Sequence, residues 1–313
     1  MILVTGTKRS GTSMWMQILI NAGFPFIGSA YMGQWKESIQ DANRKGFYES
    51  TLRYGINYTN NPHPDTGRYL HPRACAQHAV KIFIPGLVKT DMAFIHRVVA
   101  TIRPWNEYAS SIQRLLAMEN EYASQKIQKE GGQSHQVKAV LRRANIHPAL
   151  IWWRENFDLL FDVLTRKYPV HLVAYDRLLE APEEVIPLVL QWCNSSSKSD
   201  LLASKKIGLF MEKAIETVDL SMRTQKKPII EEHGIPSFCI ETFDDLYQCF
   251  YSGGSRIESS LVQKLNQSNQ LLEPLIKEQR QQGIKQKIED LLNLGLSPSE
   301  IDQLLRKEKE TIS

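Results

Sequence analysis

Apolar and polar positions follow two different rhythms along the chain. Strand-like apolar runs recur at Ile2–Val4, Ala79–Ile84, Arg97–Ile102 and Val170–Ala174, with the length of strands covered on both faces. Between them, Ser13–Ala22, Glu107–Met118, Ala149–Lys167 and Pro182–Trp192 space their apolar residues at helical intervals. Pro182 suits a first helical turn, where a missing N–H costs no hydrogen bond. Strands alternating with helices predict an α/β fold, a central and mostly parallel sheet flanked by helices. Residues 121–147 are polar and broken by Gly131-Gly132, and residues 194–200 read as a loop. From about residue 256 the composition shifts to Gln, Lys, Glu and Leu with helical periodicity. The expected organisation is a main domain over 1–255 and a helical C-terminal extension over 256–313, packed on the core or held out for a partner. Within the extension, Leu296-Ser297-Pro298-Ser299-Glu300 reads as a turn into a capped helix.

Composition narrows the classes. At 313 residues and 42% hydrophobic, the chain can bury one sizeable core. Its net charge of +4 suits an anionic ligand but is too small and too scattered to argue for nucleic acid. Cys75, Cys193, Cys239 and Cys249 form no C-x-x-C pair and no metal-ligand spacing with the histidines, which predicts reduced thiols, a cytoplasmic location and no metal. The chain opens on an apolar strand, so no signal peptide is expected, and no apolar run reaches the roughly eighteen residues of a membrane span.

Candidate chemistry starts at the first strand. Met1–Leu19, MILVTGTKRSGTSMWMQIL, runs from a strand through a glycine-and-hydroxyl loop into a helix, an arrangement that aims backbone N–H groups at one anion. Gly6 and Gly11 have the spacing of a Walker A loop, G-x-x-x-x-G-K-[ST], but Thr12 and Ser13 follow the second glycine and the basic pair Lys8-Arg9 precedes it. Phosphate binding is expected; triphosphate chemistry is not the first reading. In Arg97–Arg114, a strand ends at Arg103-Pro104 and Ser111 follows eight residues after the arginine, on a helix. Ligands of open α/β sheets bind at the carboxyl ends of strands, so Arg103 and Ser111 could share a phosphate. Equally, the arginine could pair with a carboxylate. A third unit, Val170–Trp192, places Tyr175-Asp176 at a strand end before a helix.

Together these segments resemble the sulfotransferases that use 3′-phosphoadenosine-5′-phosphosulfate (PAPS). Lys8-Arg9-Ser10-Gly11-Thr12-Ser13 is similar to their 5′-phosphosulfate loop, P-[KR]-S-G-T-[ST]; Arg103 and Ser111 match the spacing of their 3′-phosphate motif; Tyr175-Asp176-Arg177-Leu178 resembles their Y-E-D-L segment, and Trp152-Trp153 an aromatic pair upstream of it. The order along residues 1–192 is also the family's. The resemblance implies a P-loop-like sheet and a transfer of sulfuryl from PAPS to a hydroxyl or amine of a small-molecule or carbohydrate acceptor, with no metal. It implies that Arg9, Ser10, Gly11, Thr12 and Ser13 hold the 5′-phosphosulfate, Arg103 and Ser111 the 3′-phosphate, and Tyr175 the adenosine. Val218–Arg223 resembles a segment over the 3′ side, which makes Arg223 a further phosphate candidate.

Departures from the family fall on the acid–base chemistry. The K-[TS]-H-x-P segment corresponds to Lys81-Ile82-Phe83-Ile84-Pro85, where phenylalanine replaces the histidine base. Asn43–Glu49 resembles the N-x-x-G-[FY]-x-E segment of bacterial sulfotransferases, so Glu49 is the candidate base, workable if burial raises its pKa. His71 and His78 are fallbacks. Arg9 and Lys81, with Lys8 assisting, would stabilise the transferring group and the leaving oxygen. The family's adenine-stacking tryptophan corresponds to Met14, while neighbouring Trp15 is expected in the core. Aromatic residues Tyr31, Trp35, Tyr54, Tyr58, Tyr69 and Tyr122 lie in the stretches expected to choose the acceptor. The alternatives are a P-loop kinase of a small molecule and a nucleotide-binding scaffold whose helical tail recruits a partner.

Overall fold

A computed structural model describes residues 1–33, 35–58, 61–63, 65–130, 133–141, 146–194, 210–219, 234–253 and 257–312. Arg223, Lys226-Lys227-Pro228, Gly131-Gly132, most of the 194–200 loop and the expected boundary at 255/256 lie outside the described residues.

Among the described residues, five parallel strands form one sheet in the order β2-β3-β1-β4-β5: β1 (Ile2–Gly6), β2 (Phe26–Ile27), β3 (Ala79–Lys81), β4 (Arg97–Ile102) and β5 (Val170–Ala174). Side chains alternate across it as strand geometry requires. Leu3, Val98 and Ala100 enter one apolar layer, and Ile2, Val4 and Val99 enter the other. The first layer is roofed by α3 (Ile84–Lys89), α4 (Trp105–Glu130), α6 (Pro148–Arg166), α10 (Ser237–Tyr251) and α11 (Ser259–Asn293). The second is roofed by α1 (Thr12–Asn21), α8 (Pro182–Asn194) and α9 (Met211–Ile215). The expected α/β class holds, and all strands being parallel places their carboxyl ends along one edge of the sheet.

Several boundaries moved for local reasons. β3 stops at Lys81 because Pro85 sits in the first turn of α3, so Ile84 is helical rather than extended. α4 continues to Glu130, where Gly131 is the first helix-breaking residue after Pro104. Tyr175–Glu180, expected to turn, is a short helix, α7, ended at Ala181 ahead of Pro182. α10 was not foreseen, although Cys239, Thr242, Phe243, Leu246, Tyr247 and Phe250 bury one face at helical spacing.

The extension is helical. Leu265, Leu272 and Ile276 of α11 enter the main core, while Leu291 joins Val140 of α5 (Gln133–Leu141) and Ile301 of α12 (Pro298–Ile312) in a small separate cluster. The cap expected before α12 is present: Ser297 N–H donates to Glu300 at 2.8 Å, and Glu300 N–H donates back to Ser297 Oγ at 3.4 Å. Among the described residues no helix is long and apolar enough to cross a membrane, and Cys75, Cys193, Cys239 and Cys249 are free and buried.

Gly6 ends β1 opposite Thr101 in the register of β4, with φ at +152°. A Cβ there would collide with the Thr101 carbonyl oxygen and lie 2.5 Å from Ser10 Oγ. Gly6→Ala is expected to cost about 2–4 kcal/mol in urea unfolding, from backbone strain and the displaced loop together; a loss below about 0.5 kcal/mol would show that β1 and β4 can separate there.

Candidate functional site

Strand register builds the site. Gly6 leads into the loop 7–11, Lys81 ends β3 opposite Val4, Arg103 follows Ile102 of β4, and Tyr175 follows Ala174 of β5. Four separate stretches of sequence therefore meet at the carboxyl ends of adjacent strands. They wall a cleft of about 730 Å³ that also receives residues of 35–54, which begin with the one-turn α2 (Trp35–Ser38), of α4 and of 217–219.

The loop is shaped by its own hydrogen bonds. Ser10 donates to the Thr7 carbonyl through both N–H (3.2 Å) and Oγ–H (2.7 Å), and Thr101 Oγ1 donates to the Ser10 carbonyl at 2.9 Å. Arg9 is left-handed at φ 70°, and Gly11 at φ +100° is the residue before α1. A Cβ on Gly11 would lie 2.9 Å from the Tyr175 ring, so only glycine lets that ring close over the loop. No side chain caps α1 and no acidic residue lies in its first turn. Its first N–H groups are thus open to an anion, with Thr12 and Ser13 beside them.

Guanidiniums gather on one side. Arg9 Nε donates to Ser111 Oγ at 3.1 Å and Nη2 to the Ala42 carbonyl at 2.8 Å. Arg103 lies 4.7 Å over the Tyr175 ring and donates through Nε to Glu107 at 3.0 Å. Its Nη2 is 3.0 Å from the same carboxylate oxygen but is turned so that it donates to nothing among the described residues. Arg103 thus has a carboxylate partner and still keeps a buried donor unfilled. Burial first, then neighbouring Arg103 and Arg114, pull Arg9 down to about 10. Arg114, one turn beyond Ser111, lines the same wall and was not anticipated; its spacing from Ser111 on a helix was the available signal.

On the other side, Lys81 Nζ contacts Glu49 Oε1 at 2.7 Å, Ser13 Oγ at 3.1 Å and the Phe47 carbonyl at 3.1 Å. Burial lowers its pKa, and Glu49 counters part of that. Arg53 Nη1 holds the other Glu49 oxygen at 2.8 Å, its guanidinium lying 5.1, 4.7 and 5.6 Å from the rings of Trp35, Tyr54 and Phe83. Glu49 is 5% exposed, as expected for a buried carboxylate, but its oxygens face two cations rather than an apolar wall. Arg53 was missed, although Glu49 and Arg53 stand four residues apart.

The segment 42–49 is stitched onto this machinery by Arg9 to Ala42, Gln17 to Gly46 at 3.2 Å, and Ser13 and Lys81 to Phe47. Lys8 lies over the Phe83 ring at 5.5 Å. Met14, Trp35 and Tyr54 line the cleft; Trp15 is in the core, Tyr58 and Tyr69 are exposed, and neither His71 nor His78 reaches the cleft. Trp152 and Trp153 are buried, and the Trp152 indole donates to the Arg103 carbonyl at 2.8 Å, fixing the strand end. Eight cationic against four anionic side chains line the cleft, and among the described residues no His/Cys/Asp/Glu group could hold a metal. No family model, curated protein or solved structure matches the chain, so its function has to be argued from this cleft.

One further carboxylate stands apart. Glu155 of α6 is partly buried, and burial raises it to about 7, with Lys8 pulling the other way.

Lys81→Met is expected to cost about 3 kcal/mol in urea unfolding, because Glu49 keeps only one buried partner. Adding Glu49→Gln should then cost less than the two single losses combined, the coupling being read from a double-mutant cycle. A carboxyl held above its usual value ties its proton more tightly in the folded state. Stability should therefore fall as pH rises from about 4.5 to about 7, by about 1–2 kcal/mol allowing for water at Glu155. Glu155→Gln should flatten that slope in melts taken across the range.

Proposed function

We propose that the chain is a PAPS-dependent sulfotransferase with a P-loop-like arrangement of sheet and phosphate loop. The observation that carries this reading is the gathering, in one cleft, of an open helix N-terminus and two groups of cationic side chains. At one end the uncapped α1 N-terminus stands beside Ser13 and Lys81; at the other Arg9, Arg103 and Ser111 crowd together, with Arg103 Nη2 unfilled. A nucleotide with a phosphosulfate at one end and a second phosphate at the other fits that charge distribution. A triphosphate would find no lysine after Gly11.

In this reading Ser10, Gly11, Thr12 and Ser13 receive the 5′-phosphosulfate through backbone N–H and hydroxyl groups. Arg103 and Ser111 take the 3′-phosphate, Arg9 bridges towards Ser111, and the Tyr175 ring sits against the adenosine. Acceptor oxygen bonds to sulfur as the bond from sulfur to the bridging phosphate oxygen breaks, and adenosine 3′,5′-bisphosphate leaves. Such transfers depend on in-line positioning and on neutralising the leaving oxygen. Lys81, between Glu49 and Ser13, supplies that charge with Lys8, and Glu49 accepts the acceptor's proton. The acceptor is a small molecule or carbohydrate, and the chemistry needs no metal.

Adenosine 3′,5′-bisphosphate should raise the melting temperature while ATP with magnesium leaves it unchanged; the reverse pattern sinks the proposal and favours the kinase. Arg103→Ala should weaken bisphosphate binding about tenfold or more by calorimetry, as expected for a charge-assisted contact. Glu49→Gln should abolish transfer of labelled sulfate while keeping bisphosphate affinity, and full turnover in that variant would remove Glu49 as the base.

A further inference from the structure

Two of the groups placed around the 5′-phosphosulfate already have their donors occupied. An ammonium has three N–H donors, and those of Lys81 go to Glu49 Oε1 at 2.7 Å, Ser13 Oγ at 3.1 Å and the Phe47 carbonyl at 3.1 Å. A serine hydroxyl has one proton, and Ser13 gives it to the same Phe47 carbonyl at 3.2 Å. One backbone oxygen therefore takes a donor from α1 and a donor from the end of β3, both of which an anion at this end of the cleft would need. Ser13, Phe47 and Lys81 all line that cleft.

The peptide that carries this oxygen is strained. Tyr48, which follows it, is left-handed at φ 54°, an unfavourable conformation for an L-residue with a bulky side chain. Turning the Phe47–Tyr48 peptide over changes only ψ of Phe47 and φ of Tyr48. That one rotation withdraws the carbonyl, relieves Tyr48 and swings its N–H towards Ser13 and Lys81. The flanking bonds can stay, since Phe47 N–H donates to Ala30 at 2.6 Å and Glu49 N–H to Ser29 at 3.1 Å. A phosphate or sulfate oxygen carries more negative charge than a carbonyl oxygen, and so gains more from an ammonium and from an incoming N–H. We propose that the Phe47–Tyr48 peptide is an anion-operated switch: its carbonyl holds Ser13 and Lys81 until the 5′-phosphosulfate turns it over and takes both donors. This rests on the sulfuryl-transfer reading for the identity of the anion, but the switch needs only an anion at Ser13 and Lys81.

Tyr48→Gly and Tyr48→Ala separate backbone from side chain, since both remove the ring and only glycine is at ease at φ 54°. Without ligand, Tyr48→Gly should melt higher than Tyr48→Ala, and saturating adenosine 3′,5′-bisphosphate should narrow the gap. By calorimetry Tyr48→Gly should bind the bisphosphate about fivefold more weakly than Tyr48→Ala, because glycine favours the unturned peptide. Inorganic pyrophosphate should rank the two variants in the same order. In the unmutated chain, a crystal structure with bound bisphosphate should show the Phe47 carbonyl turned away from Ser13 and Lys81. The switch is overturned if that carbonyl still accepts from both, if the melting gap is unchanged at saturation, if Tyr48→Gly binds as tightly as Tyr48→Ala, or if neither anion binds. Pyrophosphate binding with the expected order, in a protein that ignores the bisphosphate, would keep the switch and discard sulfuryl transfer.

Discussion

Close approach of β1 and β4 is the constraint on which the cleft depends. Gly6 lies opposite Thr101, and the space a side chain would need is already filled by the Thr101 carbonyl and Ser10. Because the strands meet so tightly, the loop 7–11 folds directly over the end of β4, and Thr101 Oγ1 can hold the Ser10 carbonyl. Gly11 then admits the Tyr175 ring from β5's end, and that ring carries Arg103 on its face. Loop, arginine and tyrosine are thus positioned by backbone geometry before any charge is counted.

Charge is what this geometry concentrates. Arg9, Arg103 and Arg114 share one wall, and burial first, then repulsion from the other two, lowers the pKa of Arg9. Glu107 answers Arg103, and Glu49 is shared between Lys81 and Arg53. Like charges brought together without full compensation destabilise a fold, and such clusters concentrate at sites built for the opposite charge. The uncapped α1 N-terminus adds to the same field. A multiply charged anion bound here would supply the compensation that the chain itself withholds.

Legibility in the sequence followed the same division. The strand–loop–helix at the start was readable because strand, glycines and basic pair are contiguous, and Arg103 was readable because strand ends face ligands in this class of sheet. Glu49 was located by a short segment, but its surroundings were not: Lys81 and Arg53 reach it from β3 and from the turn after it, and only folding decides that both point inward. Glu155 left no signal at all, since an isolated glutamate on an amphipathic helix reads as solvated. α10 was legible by its apolar spacing and was passed over, whereas β2, two residues long, carries too little pattern to find.

The extension bears on the site through packing rather than proximity. Leu272 and Ile276 of α11 share a core with Phe243 of α10, and Ser268 donates to Thr242 at 3.0 Å within the same buried seam. Phe243 in turn stacks on Trp153 at 5.2 Å and leans on Trp152 at 5.4 Å, and Trp152 holds the Arg103 carbonyl. Removing α11 would strip one side of the layer that fixes the end of β4. A helical arm kept only to recruit a partner would not need Leu265, Leu272 and Ile276 in the main core. Only the distal part, where Leu291 and Ile301 meet Val140 away from the sheet, is built as a separate cluster. The proximal part of the extension packs into the same layer as Phe243 and Trp152, and so into the support of the Arg103 carbonyl.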